Sequence, residues 1–453
     1  MKTNQKMTRF FNLSAFSLII TLFFASLSPV PMAQGLAAHT AYAVQYDAEI
    51  ASIIAQVDQN VLYDYTAKLS GEQPVVVGGE NYTILTRKTN SGVPIQKATT
   101  YVYEYLQSLP GLDSVAYQSW QTDGFSNRNV VGVLNGTTRA DEIVLLTAHL
   151  DNMPGGGRAP GADDNASGSA ALMAAADILS KYQFQRTVRF VFFTGEEQGT
   201  LGSWVYARKA RSAGEKIVAA LNMDMLAWDK KGEPTMRLHT RAPQTGAGDL
   251  EIANLFVDVV NTYAIALSPI ITSYGMDESD HASFWEYNYS AICIIEDDGD
   301  LNSWGDFNPN YHTVNDTLAN LNMPYFTHVT AATVGSIAHL AALDDGSTPA
   351  VAHVKKIVMS PQILGWSYRT KAIATIVDAD NLPLSGATVV GVFSGATSSR
   401  ASKPSGATGQ AIFYSAYKPG GGTWKFCVRN VIKSGWVYDP NANARTCLTI
   451  KIP

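Results

Sequence analysis

The sequence predicts an α/β protein in which helices sandwich a mostly parallel sheet, followed by a small antiparallel β-sandwich. Three observations carry this. Ile143 to Ala148 (IVLLTA) is an unbroken apolar run without polar alternation, as in a strand buried on both faces. From Asn129 to Leu343 such runs alternate with segments of helical periodicity, the texture of a parallel sheet covered on both sides. Beyond Leu343 the helical periods stop, and short β-rich runs broken by Gly, Pro, Ser and Asn take over.

In chain order, Lys2, Lys6 and Arg9 precede the apolar stretch Phe10 to Phe24, and small residues and prolines follow. That layout predicts a secretory signal peptide over residues 1–33, with cleavage after Ala33, Ala37 or Ala43. The apolar stretch is shorter than the roughly 20 residues that span a bilayer. The mature protein is therefore expected to be secreted, extracellular or periplasmic, and to make no membrane contact. The chain of 453 residues is 46% hydrophobic, enough for a large core, and its net charge of -6 gives no electrostatic reason to expect nucleic acid. In an oxidising compartment Cys427 and Cys447 form a plausible disulfide, while Cys293, inside AICIIE, reads as a small buried hydrophobe.

Residues 45–109 read mainly as helices, with EIASIIAQV and ATTYVYEYLQSL at helical spacing and RKTNSGVP as a loop. NVVGVL, EIVLLTAH, TVRFVFFT, IVAALNMD and AICIIED then read as strands. Between and after them, SGSAALMAAADILSKY, GSWVYARKAR, DLEIANLFVDVVNTYA and YFTHVTAATVGSIAHLAAL read as helices. The expected division is a catalytic domain at 44–343, which leaves room for a pro-segment at its start, a linker at 344–353, and an accessory immunoglobulin-like sandwich at 354–453 in which Cys427 and Cys447 tie two late strands.

The chemistry gathers in the first domain. HLDNMPGGGRAPGADDNASG (His149 to Gly168) follows a strand and precedes a helix, placing His149, Asp151 and Asp164 in the crevice at the carboxyl end of the sheet. Glu196 and Glu197 follow VRFVFF, Asp224 ends IVAALNM, and His312 lies in a loop ahead of the closing helix. Each motif alone is weak, and their convergence on one side of the sheet is the argument. Two zinc ions roughly 4 Å apart can share one carboxylate and each take two further ligands. His149, Asp164, Glu197, Asp224 and His312 supply one bridge and four terminal ligands. Glu196 is then free to act as a base, and Asp151, two residues beyond His149, is placed to accept the other imidazole N–H.

Together HLD, PGADDNASG, GEEQGTLGS, NMDM and YHTVNDT resemble the secreted bacterial leucyl aminopeptidases of the co-catalytic di-zinc exopeptidase family. The resemblance implies that His149 and Asp224 bind one zinc, that Glu197 and His312 bind the other, and that Asp164 bridges them. It also selects Asp164 over Asp163 and implies a cis peptide between Asp164 and Asn165. SDHASFW (Ser279 to Trp285) is similar to a family segment near the substrate pocket, which makes His281 a structural or pocket residue and no ligand, and Phe284 and Tyr311 are expected beside it in the pocket. A disulfide found before that segment in some relatives is absent here, where GMDE stands.

The implied activity is metal-assisted hydrolysis of N-terminal residues, large apolar ones by resemblance. Glu196 takes a proton from a zinc-bridging water and returns it to the leaving amine. The expected partners are peptides or proteins with a free N-terminus, and the chain is expected to be a monomer. Alternatives are a carboxypeptidase or glutaminyl cyclase on the same scaffold, or a non-enzymatic binding protein acting through the C-terminal domain.

Overall fold

The computed structural model describes residues 44–153, 157–299, 305–344, 350–433 and 436–453. The expected signal peptide lies outside these residues, as does the middle of the expected linker. Two short helices open the described chain, α1 (Ala48–Ile54) and α2 (Gln59–Leu69). Asp47 and Asp58 cap them, each accepting backbone N–H groups of the first turn through Oδ1. A small hairpin, β1 (Val75–Val77) and β2 (Glu80–Tyr82), leads to α3 (Val93–Gln107), whose residues Ala98, Val102 and Leu106 form its buried stripe.

The main sheet has eight strands: β3 (Ser114–Thr122), β4 (Phe125–Leu134), β5 (Arg139–His149), β6 (Arg186–Phe193), β7 (Lys216–Met223), β8 (Thr235–His239), β9 (Ser268–Thr272) and β10 (Ala291–Glu296). Their order is β3-β4-β6-β5-β7-β10-β8-β9. The central four, β6-β5-β7-β10, are parallel, as are β8 and β9, while β3–β4, β4–β6 and β8–β10 are antiparallel. The sheet is thus mixed, with a parallel centre. The connecting helices are α4 (Gly168–Leu179), α5 (Leu201–Ser212), α6 (Ala247–Thr262), α7 (His281–Glu286) and α8 (Met323–Ala341).

Successive residues of a strand face opposite sides, and β5 shows why an unbroken apolar run was needed. Val144, Leu146 and Ala148 join the large core shared with α1, α2, α3, α4, α6 and α8. Ile143 and Leu145 point the other way, onto Tyr206, Ala207 and Ala210 of α5 and Phe284 and Trp285 of α7. Burying the strand on both faces leaves its carboxyl end, and those of β6 and β7, as the exit for polar side chains.

The C-terminal unit comprises β11 (Ala350–Leu364), β12 (Ser367–Asp378), β13 (Thr388–Gly395), β14 (Ser399–Pro404), β15 (Gln410–Tyr414), β16 (Lys418–Pro419), β17 (Gly422–Ile432), β18 (Trp436–Tyr438) and β19 (Cys447–Ile452). One sheet runs β15-β12-β11-β18 with β16 beside β12, and the other runs β14-β13-β17-β19. All pairs are antiparallel except β11–β18. Ile357, Ala374, Ile376, Val389, Phe413, Phe426 and Val428 close a separate core. Strand β11 begins at Ala350, inside the expected linker. Cys427 and Cys447 are directly paired on β17 and β19 and form a disulfide, and Cys293 is buried and free.

Candidate metal centre

Three adjacent strand ends bring the acidic and imidazole groups together. His149 is the last residue of β5, Asp224 follows β7, and Glu196 and Glu197 lie on a short 3-10 turn just after β6. Gly195 permits that turn: its φ is 84°, and a Cβ there would sit 2.7 Å from the Trp120 ring. Asp164 comes from the turn before α4, where the Asp164–Asn165 peptide is cis. Asn165 locks this turn to the sheet, donating to Met223 O at 2.9 Å and accepting from Gly168 N at 2.9 Å. A Cβ on Gly168 would lie 2.6 Å from Met223 O, so only glycine lets the helix start this close to β7.

The donors form two three-membered groups that share one residue: His149, Asp164 and Asp224, and Asp164, Glu197 and His312. Nε2 of His149 lies 3.1 Å from Asp224 Oδ1 and 3.4 Å from Asp164 Oδ1. Nε2 of His312 lies 3.1 Å from Asp164 Oδ2 and 2.9 Å from Glu197 Oε2. Asp163, its neighbour, faces elsewhere and accepts from Ala227 N and Asn308 Nδ2, each at 2.9 Å. Glu196 belongs to neither group and reaches to 4.0 Å from His149 Nε2.

A second layer holds these groups, and here the structure differs from expectation. Nδ1 of His149 donates to the main-chain oxygen of Asp151 at 3.2 Å, while the Asp151 carboxylate stays at 3.9 Å. That carboxylate instead accepts from Thr89 Oγ1 at 2.5 Å and from the backbone N–H of both Glu196 and Glu197 at 3.3 Å. Asp151 therefore positions the glutamate turn. Thr147 donates to Asn222, Asn222 to Ser279, and Ser279 to Asp224 Oδ2 at 2.6 Å, so a relay of side chains aims that carboxylate. Asp316 accepts from Asp163 N and Asp164 N, both at 3.0 Å. Arg87, fully buried, donates to the carbonyls of Leu69, Leu150, Pro160 and Gly161 and so clamps the loop entering the Asp164 turn. Sequence reading missed Thr89, Arg87, Ser279 and Asp316. Asp316 had a signal, as the acid four residues after His312 in HTVND.

The donor set fits a cation. A carbonyl can only accept, so Nδ1 of His149 carries its proton and Nε2 turns a lone pair towards carboxylate oxygens. Acceptors facing one another at this range need a positive charge between them, a proton or a metal. Burial alone would lower the pKa of His149, yet Asp224 and Glu196 drive it well above the ordinary value. At His312 burial likewise lowers and Asp164 and Glu197 raise, and the pKa is pushed up to about 10. Burial and the charge of Glu197 push Asp164 up to about 7, and burial pushes Glu196 well above the carboxylate range. Oε1 of Glu197 is buried with no hydrogen-bond partner, an acceptor aimed at something other than protein. Imidazole and carboxylate without thiolate suit zinc in a catalytic setting.

The expected pocket residues are placed differently from one another. Tyr311 stacks on the His312 ring at 3.7 Å and touches Phe307 at 5.1 Å. His281 is buried, donates through Nε2 to Met276 O at 2.9 Å, packs on Trp285, and joins neither donor group. Phe284 is fully buried among Phe193, Tyr206 and Tyr289, so it is core and presents no surface to a substrate.

Residues 129–337 match the model of Peptidase family M28. A curated protein of Trichophyton verrucosum (strain HKI 0517), named "Probable leucine aminopeptidase", is 30% identical over 258 residues, which are 54% of this chain and 65% of that relative. The match thus spans less than two thirds of the relative's length. Among solved structures, the Legionella pneumophila LapA aminopeptidase superposes with a TM-score of 0.56 at 22% identity, covering 68% of this chain and 78% of that one. A Bacteroides thetaiotaomicron glutaminyl cyclase bound to N-acetylhistamine gives 0.50 at 18% identity, covering 62% and 98%. Both show the fold. The ordered motifs and this family match agree, and over residues 129–337 this chain is similar to Peptidase family M28.

Proposed function

We propose that the chain is an exported zinc metalloaminopeptidase that removes large apolar N-terminal residues from peptides, using two zinc ions. The observation that carries this is the pair of three-donor groups sharing Asp164. In this reading His149 and Asp224 hold one ion, Glu197 and His312 the other, and Asp164 both. Residues 1–33 direct export, 44–343 form the peptidase domain, and 354–453 an accessory domain. When bound, such ions supply Lewis acidity for the scissile carbonyl and draw the pKa of water down towards roughly 7.

The chain's own groups do the rest. Glu196 accepts a proton from the attacking water at its carboxylate and delivers it to the leaving nitrogen. Its position is set by Asp151, which takes the backbone N–H of Glu196 and of Glu197. Beside Asp224, Met225, Cys293 and Ile295 form a buried apolar group on which the partly buried Phe307 packs, and Phe307 with the exposed Tyr311 offers a wall for an apolar side chain towards His312.

The test is hydrolysis of a leucyl anilide and its N-acetylated counterpart by the purified protein. Cleavage of the free amine alone supports the aminopeptidase. Cleavage of neither, with cyclisation of an N-terminal glutaminyl peptide, would assign the site to the cyclase chemistry instead.

A further inference from the structure

The charge of this chain is divided along its length. Residues 350–453 hold twelve Lys and Arg against three Asp and Glu, a net charge of +9. The whole chain is -6, so residues 1–349 carry -15. The three acids of the basic unit lie at one end of β11 and β12: Asp378 pairs with Ala352, Asp380 follows it, and the backbone N–H of Asp439 donates to Ala352 O. The other end, at the β11–β12 turn, has no acid anywhere from Lys356 to Val377.

That turn exposes three large apolar side chains, Ile363 and Leu364 at 65% each and Trp366 at 90%. Behind it the outer face of the five-stranded sheet continues the pattern. Register aligns Val358 with Ile373 and Ile412, and Ser360 with Lys371 and Tyr414. Arg369 lies over the rings of Tyr414 at 4.5 Å and Tyr417 at 4.6 Å. A contiguous apolar and aromatic face of this kind marks an interaction site.

Its composition selects the partner. A sugar or a nucleobase would stack on Trp366 and the tyrosines but gain little from Ile363 and Leu364. A lipid interface uses all of them: aliphatic side chains enter the acyl boundary, Trp and Tyr sit at the headgroups, and Arg and Lys meet anionic phosphates. We propose that the β11–β12 turn and the sheet face behind it dock the chain on an anionic lipid bilayer, with Ile363, Leu364 and Trp366 inserted and Arg369, Lys371 and Lys418 at the headgroups. No helix among the described residues is long and apolar enough to cross a membrane, so this is surface attachment. The expectation of no membrane contact rested on the lack of a further apolar span, and a three-residue tip is too short to be one. The inference is independent of the aminopeptidase reading.

The test is co-sedimentation of the full chain with vesicles of phosphatidylcholine alone and of equimolar phosphatidylcholine and phosphatidylglycerol. Binding to the anionic vesicles is expected, and it should weaken as salt is raised. Trp366→Ala should lower affinity roughly tenfold, and Arg369→Glu with Lys371→Glu by more than about tenfold. Leucyl anilide hydrolysis and circular dichroism should stay unchanged, because these side chains lie on a surface remote in sequence from the metal centre. Binding equal for wild type and variants would overturn the proposal, as would heparin binding without vesicle binding. Self-association abolished by Trp366→Ala, without vesicle binding, would show that a second copy is the partner and overturn it too.

Discussion

Asp164 faces His312 with one carboxylate oxygen, at 3.1 Å from Nε2, and turns the other towards His149. One residue therefore serves both donor groups, and its loss should be felt at both proposed metal positions. Asp164→Asn is expected to lower zinc content from two ions to fewer than one per chain, with affinity reduced more than about 100-fold. Elemental analysis after gel filtration checks this, and a variant that kept both ions would remove Asp164 from the bridge.

Glu196 stands 4.0 Å from His149 Nε2 and outside both donor groups. Glu196→Gln should retain zinc and lose about 100- to 10,000-fold in kcat, the range for a positioned acid-base group. The two readouts together separate proton transfer from metal binding.

Asp151 acts on the glutamate turn. Asp151→Asn puts an NH2 group where three donors converge, and turnover should fall roughly 10- to 100-fold, with a smaller loss of metal affinity than for Asp164→Asn. Thr89→Val, which removes a single donor to the same carboxylate, should lose less. Parallel kinetics and zinc titrations of the two variants test the order.

How much of this was legible in the sequence depends on what each residue type can do alone. His149, Glu197 and Asp224 stood out because strands that must be apolar on both faces end at polar loops, and His312 because its loop motif YHTVNDT precedes the closing helix. Arg87 did not stand out, because a solvated arginine in a loop and a guanidinium buried on four carbonyls look alike in one sequence. Strand β3 was missed since its alternating, half-exposed residues lack an apolar run. Asp123-Gly124 between β3 and β4, with φ of 50° and 79°, was the available hairpin signal. The short β8 and β9 gave no comparable cue.

The burial of Arg87 makes a stability prediction. Arg87→Met removes the guanidinium donor from four carbonyls, of which Gly161 O keeps the N–H of Ala166, and should destabilise the fold by roughly 3–5 kcal/mol. Arg87→Lys should restore little, because an ammonium cannot reproduce the planar fork. Urea unfolding followed by fluorescence measures both.

Cys427 and Cys447 close a loop of 20 residues between paired strands. Replacing both with Ala should cost the C-terminal unit about 2–4 kcal/mol and leave leucyl anilide hydrolysis unchanged. Differential scanning calorimetry with parallel activity assays tests this.

In the proposed function, two zinc ions on five protein donors carry hydrolysis at a free N-terminus. The most direct measurement is leucyl anilide turnover while zinc is titrated into the chelated protein. Activity should return as zinc is added and level off at two equivalents, with the N-acetylated substrate uncut throughout. Activity that persists after complete metal removal, or that is full at one equivalent, would contradict it.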